Sequence, residues 1–495
     1  MKFSSIVLFT AAFTSAILLA SVSPLAAVTA PLVAPVLIQI NPGGNGIVSG
    51  YVDEQLSVTS AAPATGYAVT NLPKGLTLNT KTGRITGRPI VAGNYSIVFT
   101  AYNGTAKSLP MTVNWTVEPL PTNTAGTYNA LLDRQTWLNG GFGGSLRLNV
   151  NSNGTYSGII TRGIHRNSFS GVLDAQVGIT PSGYFFVPRR APYAPLECTF
   201  SLPIGNGQIF ATLREAPEAP ATVGVTANIF GFRAAFSKTN PASSAFVGRW
   251  NNAYEIPSAL VRNAIYPQGA SWATQTVSST GAVLWTGRLA DGTNFTHATD
   301  LAQGGQTALH VMLFNYSSSI QGWQTLTSST GRSVASLGWV KLKTGGRSYA
   351  DGFPLHTLAG NGAKYTPPAP SSLILNIRSG SDNAVATFTE GGLSSAFNQL
   401  FTVGANNILV LPVGPANPYR LNASLNVTTG LLSGRGTAIN FNANQASSAR
   451  PGSFSGLVVP GRNQAIGHFL LPSDTSASAP ILSGKFLAEE TGVLN

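Results

Sequence analysis

Seventeen acids, five histidines, one cysteine and seven tryptophans are the side chains through which this 495-residue chain could do chemistry. Hydrolysis of a glycoside needs two carboxyl groups that face one bond. The adjacent acids, Asp53-Glu54 and Glu489-Glu490, read as solvated turns or a tail, and Asp174, Asp291, Asp300, Asp351 and Glu390 stand isolated in sequence. A nucleophile elbow requires Gly-x-Ser-x-Gly. Gly154-Thr-Tyr-Ser-Gly158 and Gly452-Ser-Phe-Ser-Gly456 each miss that pattern by one position and lie in strand-like runs where glycine serves a turn. His165, His297, His310, His356 and His468 share no metal-ligand spacing. Cys198, in Pro195-Leu-Glu-Cys-Thr-Phe200, reads as a small buried strand residue. No glycine-rich phosphate loop joins a strand to a helix. These residues predict neither a catalytic constellation nor a metal site, so the expectation is a protein that is not an enzyme.

The aromatic residues offer a constructive alternative. Trp250, Trp272, Trp285, Trp323 and Trp339 all fall between residues 245 and 365. An exposed indole packs against the apolar C–H face of a sugar, so Trp272, Trp285, Trp323 and Trp339, beside Asn, Gln and Thr donors, form a candidate glycan platform. The competing expectation, which is favoured, places these rings in the core of a β module. Trp323, between Gly322 and Gln324, is the best placed for exposure.

The elements that must position these residues are strands. Short apolar alternations such as Leu146-Arg-Leu-Asn-Val150, Gln208-Ile-Phe-Ala-Thr-Leu213 and Ala384-Val-Ala-Thr-Phe388 recur, and no long stretch keeps a helical period. Polar turns that end in glycine separate strand pairs at Leu148–Tyr156, Thr276–Leu284 and Leu425–Leu432. A glycine–aromatic element and a later Ser/Thr-Gly element repeat as Gly126/Gly158, Gly248/Gly287 and Gly452/Gly484. The spacing suggests related β-meanders with one insertion. Pro- and Ser-rich stretches at 119–125, 237–244 and 365–371 mark the boundaries.

At the N-terminus, Leu72-Pro-Lys-Gly-Leu-Thr-Leu78, then Thr82-Gly-Arg-Ile-Thr-Gly-Arg-Pro89 and Ala92-Gly-Asn-Tyr95, place glycines and prolines at fixed offsets between strands. This order resembles the immunoglobulin-like domain of bacterial surface proteins, a cadherin-like β-sandwich, over residues 33–118. The resemblance implies a binding or spacer role, and for some relatives calcium. Here Ala101-Tyr-Asn-Gly104 replaces the acidic end of the last strand, and only Asp53 and Glu54 stand nearby. Calcium is therefore an expectation from the resemblance alone, and no other cofactor is expected.

The assembled expectation is an all-β chain, with an N-terminal immunoglobulin/cadherin-like β-sandwich followed by repeated antiparallel β modules. Its parts are a signal peptide (1–27), the immunoglobulin-like domain (33–118), a linker (119–125), module 1 (126–243), a Trp-rich module 2 (244–365) and module 3 (366–495). The signal peptide is read from Lys2, an apolar run from Ile6 to Ala20 and small residues to Ala27. Export to a bacterial surface, the periplasm or the medium follows, with membrane contact only through that peptide if it stays uncleaved. A single cysteine excludes an internal disulfide framework. The net charge of +12 reflects a shortage of acids, 17 against 29 basic residues, and the basic residues are scattered. That distribution argues against nucleic acid, whose partners concentrate their charge. Expected partners are cell-surface or extracellular polysaccharide or protein, met in adhesion, assembly or ligand binding; the alternative is an extracellular carbohydrate-binding or carbohydrate-active protein that uses the Trp-rich module.

Overall fold

The computed structural model describes residues 32–38, 46–59, 63–215, 225–438 and 449–492; the expected signal peptide lies outside them. The chain is nearly all β. The first unit has strands β1 (Gly46–Ile47), β2 (Val52–Gln55), β3 (Gly66–Thr70), β4 (Leu76–Leu78), β5 (Arg84–Gly87), β6 (Gly93–Asn103), β7 (Ala106–Lys107) and β8 (Met111–Glu118). One sheet runs β1-β8-β6-β3, with β7 on β6, and a second runs β2-β5-β4. Between them pack Val48, Leu56, Ile85, Ile97, Phe99, Trp115 and Val117. Gly75 (φ 95°) and Gly87 (φ 131°) carry the signature motif because a Cβ on Gly87 would stand 2.2 Å from the Gly75 carbonyl oxygen.

Three antiparallel sheets follow. The first comprises β9 (Gly126–Leu132), the helical turn α1 (Thr136–Asn139), β10 (Gly144–Val150), β11 (Thr155–Arg162), β12 (His165–Val172), β13 (Asp174–Gln176), β14 (Ile179–Val187), β15 (Leu196–Ser201), β16 (Gln208–Glu215) and β17 (Thr226–Arg233). The second comprises β18 (Gly248–Glu255), β19 (Ser271–Val277), β20 (Ala282–Arg288), β21 (Asn294–Asp300), β22 (Gln306–Leu313), β23 (Ser318–Thr327), β24 (Arg332–Lys341) and β25 (Phe353–Tyr365). The third comprises β26 (Ala384–Glu390), β27 (Phe397–Val403), β28 (Leu409–Val410), β29 (Asn422–Asn426), β30 (Leu431–Ala438), β31 (Arg450–Val459), β32 (Gln464–Pro472) and β33 (Ile481–Glu490).

In each sheet the first strand pairs with the last: β9 with β17, β18 with β25, and β26 with β33. The meander thus curls round on itself, and the two free edges meet at a seam, β12 against β14, β21 against β22 and β28 against β29. The result is three up-and-down barrels, each with its own apolar interior. All three predicted hairpins form. Gly154, Gly281 and Gly430 adopt φ of 85°, 78° and 72° in their turns, and their carbonyls accept the N–H of Leu173, Leu301 and Val458.

The repeat reading needs correction at its third member. Gly126/Gly158 and Gly248/Gly287 fall in the first and third strands of their barrels, but Gly452 and Gly484 lie in β31 and β33, near the end of the third. What the second glycines share is a ring. Gly158, Gly287 and Gly484 stand directly opposite Phe169, Phe295 and Phe469 on the adjacent strand. A Cβ on Gly158 would approach Phe169 Cζ to 2.4 Å and the Arg147 carbonyl oxygen to 2.3 Å.

The barrels are joined by side chains that satisfy a neighbour's backbone. Arg134, from the loop after β9, donates to Ser319 Oγ (2.7 Å) and the Gly338 carbonyl (2.7 Å) of the second barrel. Gln321 donates to the Leu132 carbonyl and accepts from the Gly144 N–H, both at 2.9 Å. Toward the third barrel, Asn251 Nδ2 donates to the carbonyls of Thr429 and Val458, and His468 Nδ1 lies 2.9 Å from the Ala270 carbonyl. Between the immunoglobulin-like unit and the first barrel, Arg88 pairs with Asp174 at 2.9 Å.

Each of the two barrel–barrel contacts buries a histidine. Burial, with help from the Arg134 charge and His297, pulls His310 down to about 4. Burial also pulls His468 down to about 4 beside Arg288, against the opposing effect of its bond to Ala270. Their folded values lie below the ordinary 6.5, so the stability due to keeping them neutral is complete above pH 6.5 and is lost as pH falls toward 4. Linkage puts this at roughly 3 kcal/mol for each group. Denaturant titrations at pH 7 and pH 4.5 should show that loss, and His468→Gln should flatten the dependence. Gly158→Ala should lower stability at pH 7 by about 1–3 kcal/mol through overpacking against Phe169.

Candidate functional site

The tryptophans are core residues first. In β20, Val283, Trp285 and Gly287 point inward together, and Trp250, Trp285 and Trp339 are fully buried. Trp250 Nε1 donates to the Phe246 carbonyl at 2.8 Å, whereas the indole nitrogens of Trp285 and Trp339 meet no partner among the described residues. Trp272 faces outward but is covered by the third barrel, donating to Ser455 Oγ at 3.1 Å. Trp272, Trp285 and Trp339 therefore cannot stack on a sugar, and the platform read from sequence does not form. For Trp285 and Trp339 the physical reason is strand parity, because alternate residues share a face and the barrel interior takes the largest rings; Trp272 has the outward parity and is covered by the barrel junction.

The interior of the second barrel is also polar, but sealed. Tyr254 donates to Gln324 Oε1 (2.7 Å), and Gln324 Nε2 and Ser333 Oγ donate to Asn252 Oδ1 (2.5 and 2.6 Å). Lys341 Nζ meets Asp291 Oδ2 at 3.0 Å, both side chains without exposure, and lies 3.8 Å from the Phe314 ring centre. Such groups, closed off from solvent and bonded to one another, specify packing rather than meet a substrate. Cys198 is buried on the inner face of β15, where burial raises its thiol far above the usual range. Asp53 is engaged by Arg84 at 2.5 Å, which leaves Glu54 as the other acid for a calcium ion. Among the described residues no three His, Cys, Asp or Glu side chains group as a metal site.

Trp323 differs from the others. It points out of β23 toward β17 and is half-buried. Its ring stands edge-on to Phe232 at 5.1 Å, Phe232 meets Phe230 at 5.0 Å, and Phe230 meets Phe210 at 5.1 Å. Phe210 is 46% exposed and opens this aromatic file onto the outside of the first barrel.

Four adjacent strands make that outer surface. Across β14, β15, β16 and β17, one cross-strand row reads Tyr184, Thr199, Thr212, Asn228, and the next reads Ser182, Ser201, Phe210, Phe230. With strands about 4.8 Å apart, the rows span roughly 14 Å. A shallow groove of ≈ 520 Å³ runs between them, bordered by Thr199, Ser201, Phe210, Thr212, Asn228 and Phe230. At its β14 side stand Tyr184 and Phe186, 63% and 58% exposed, with ring centres 6.1 Å apart. The inner neighbours Phe185, Cys198, Leu213 and Ile229 hold the sheet rigid from behind. Arg214 and Glu197 pair at 2.6 Å along one margin. The face presents aromatic rings, hydroxyls and one amide, Asn228, whose Nδ2 donates to the exposed Asp133 carboxylate at 3.2 Å, and the Arg214–Glu197 pair lies on its margin.

Sequence reasoning missed this face because it sought tryptophan. The signal was present in Gly183-Tyr-Phe-Phe-Val187 and Asn228-Ile-Phe-Gly-Phe232, where apolar residues occupy both parities of a strand. Trp285→Ala should cost about 3–5 kcal/mol of stability in denaturant unfolding, as for a large core ring. Trp323→Ala, half-exposed, should cost clearly less.

Comparison with known proteins follows the same division. No curated protein matches the chain. A solved structure of a protein with unknown function from the DUF3598 family of Nostoc punctiforme aligns at 11% identity over 49% of this chain and 97% of that one, with a TM-score of 0.17. The family model described as "Putative Ig domain" matches residues 30–118, so the N-terminal unit is an immunoglobulin-type domain and the family assignment stops where the first barrel begins.

Proposed function

We propose that this is an exported, non-catalytic surface protein that holds an extracellular polysaccharide on the outer face of its first barrel. The matched immunoglobulin-type domain indicates a surface-type protein. No helix among the described residues is long and apolar enough to cross a membrane. Export rests on the first 27 residues. The observation that carries the ligand class is the pair Tyr184 and Phe186, more than half exposed on a rigid sheet beside a row of Thr and Asn side chains. Exposed rings on a stiff surface stack on sugar C–H faces at little entropic cost, while the hydroxyl and amide row exchanges hydrogen bonds with sugar hydroxyls. A binding role also suits the sealed polar groups, which no substrate reaches.

The test is retention of the protein, Val28 to Asn495, on a panel of insoluble polysaccharides at low and high salt. Retention on at least one glycan should survive high salt, with no soluble sugar released. Tyr184→Ala/Phe186→Ala should weaken it about tenfold, consistent with about 0.5–1.5 kcal/mol per ring, and leave the melting temperature unchanged. Retention that vanishes with salt would instead reflect the excess of basic residues, and retention indifferent to the double substitution would move the site elsewhere.

A further inference from the structure

A second concave site lies where the second and third barrels meet. The cleft measures ≈ 500 Å³, within the size range of small-molecule sites. One wall is the loop between β18 and β19, which brings Arg262; the other is the turn after β26, which brings Glu390. Tyr349 and Ser483 close the floor, the Ser483 N–H donating to the Tyr349 hydroxyl at 3.2 Å.

Both walls are held in place. The buried side chain of Gln268 accepts from the Arg262 N–H (2.9 Å) and donates to the carbonyls of Leu260, Asn263 and Tyr266, so the loop is knitted around one amide. The opposite turn is Glu390-Gly391-Gly392, with φ of 59°, 61° and 76°. A Cβ on Gly391 would press on Phe469 at 2.6 Å. Arg262 and Tyr349 also adopt positive φ, 65° and 47°. Three non-glycine residues in the left-handed region therefore converge on one cleft, a backbone cost that proteins concentrate at binding sites.

The charges decide the ligand class. Arg262 and Glu390 line the same space from opposite walls, yet among the described residues neither forms an ion pair with the other or with any third residue. Glu390 is half-buried, and among the described residues its carboxylate receives only the Thr389 hydroxyl. In a chain where basic residues outnumber acids 29 to 17, a half-buried acid without a cation is complementary to a cation brought from outside. Arg262 is exposed at the cleft, so its guanidinium is free to meet an anionic group of the same ligand. The geometry points to a small zwitterion, an α-amino acid, whose carboxylate is met by Arg262 and whose ammonium is met by Glu390, with Leu393 and Leu482 beside its side chain.

This site is separate from the aromatic face, and its test does not depend on that face. The full chain is titrated calorimetrically with a panel of L-α-amino acids, with their N-acetyl and carboxamide derivatives, and with neutral disaccharides. Binding of at least one free amino acid is expected, with at least tenfold loss for either blocked derivative and for Arg262→Gln or Glu390→Gln. Tyr184→Ala/Phe186→Ala should bind the amino acid as the wild type does. Melting temperatures near the wild-type value would show that the two cleft variants remain folded. Equal binding of a blocked derivative, preference for a neutral sugar, indifference to both substitutions, or no binding across the panel would each overturn the assignment.

Discussion

The architecture depends on a bare Cα lying under an aromatic ring. Inside each barrel an inward-facing glycine is directly opposed by an inward-facing aromatic on the next strand: Gly158 by Phe169 and Gly183 by Phe200 in the first, Gly287 by Phe295 in the second, Gly434 by Phe454 and Gly484 by Phe469 in the third. The ring occupies the volume that a Cβ would need, within 2.2–2.6 Å of it in every case. Two consequences follow. The glycine lets the strand coil sharply enough for the last strand to meet the first, and the ring recovers the apolar contact that a glycine in a strand forfeits. The interior is thereby filled with side chains, so the barrels are solid bodies whose open surfaces are their outer faces and junctions.

Solid barrels can be docked through few contacts, provided each is well satisfied. Arg134 illustrates the trade. Burial lowers its guanidinium to about 10, a desolvation cost offset by bonds to Gly141, Ser319 and Gly338. An arginine can make these contacts at once because its donors are fixed in a plane. Gln321 and Asn251 do the same with neutral amides, at smaller cost and with equal directionality. A small apolar patch, Ala253, Ala270, Val459 and Ile466, seals the second junction. Junctions built from directional bonds between rigid sheets also leave definite clefts, and the Arg262–Glu390 cleft is one of them.

Local chemistry in the sequence was legible where the structure is local. The three hairpins, the immunoglobulin-type motif and the turn glycines all depend on residues within a few positions of one another, and each is found as expected. Barrel closure was not legible, because the pairing of β9 with β17 or β18 with β25 joins segments about a hundred residues apart and leaves no periodic trace. The third repeat member failed for a related reason. Gly484 shares with Gly158 and Gly287 an aromatic partner across the strand, which is a tertiary relation, and not a common place in the meander. The tryptophan platform failed on parity for Trp285 and Trp339, since one residue of register separates a ring in the core from a ring at the surface, and on barrel docking for the outward-facing Trp272.

Barrel closure also limits the strand edges that are open to a partner. In an open sandwich the unpaired edge invites another strand. In these barrels β9, β18 and β26 find their last partner within the same sheet, so the unpaired strand edges are confined to one seam per barrel, where they face each other. The first barrel exposes Tyr184 and Phe186 on its seam strand β14, and Phe210 on β16, which is paired on both sides. The proposed polysaccharide would meet ring faces and hydroxyls there, not a ladder of backbone bonds.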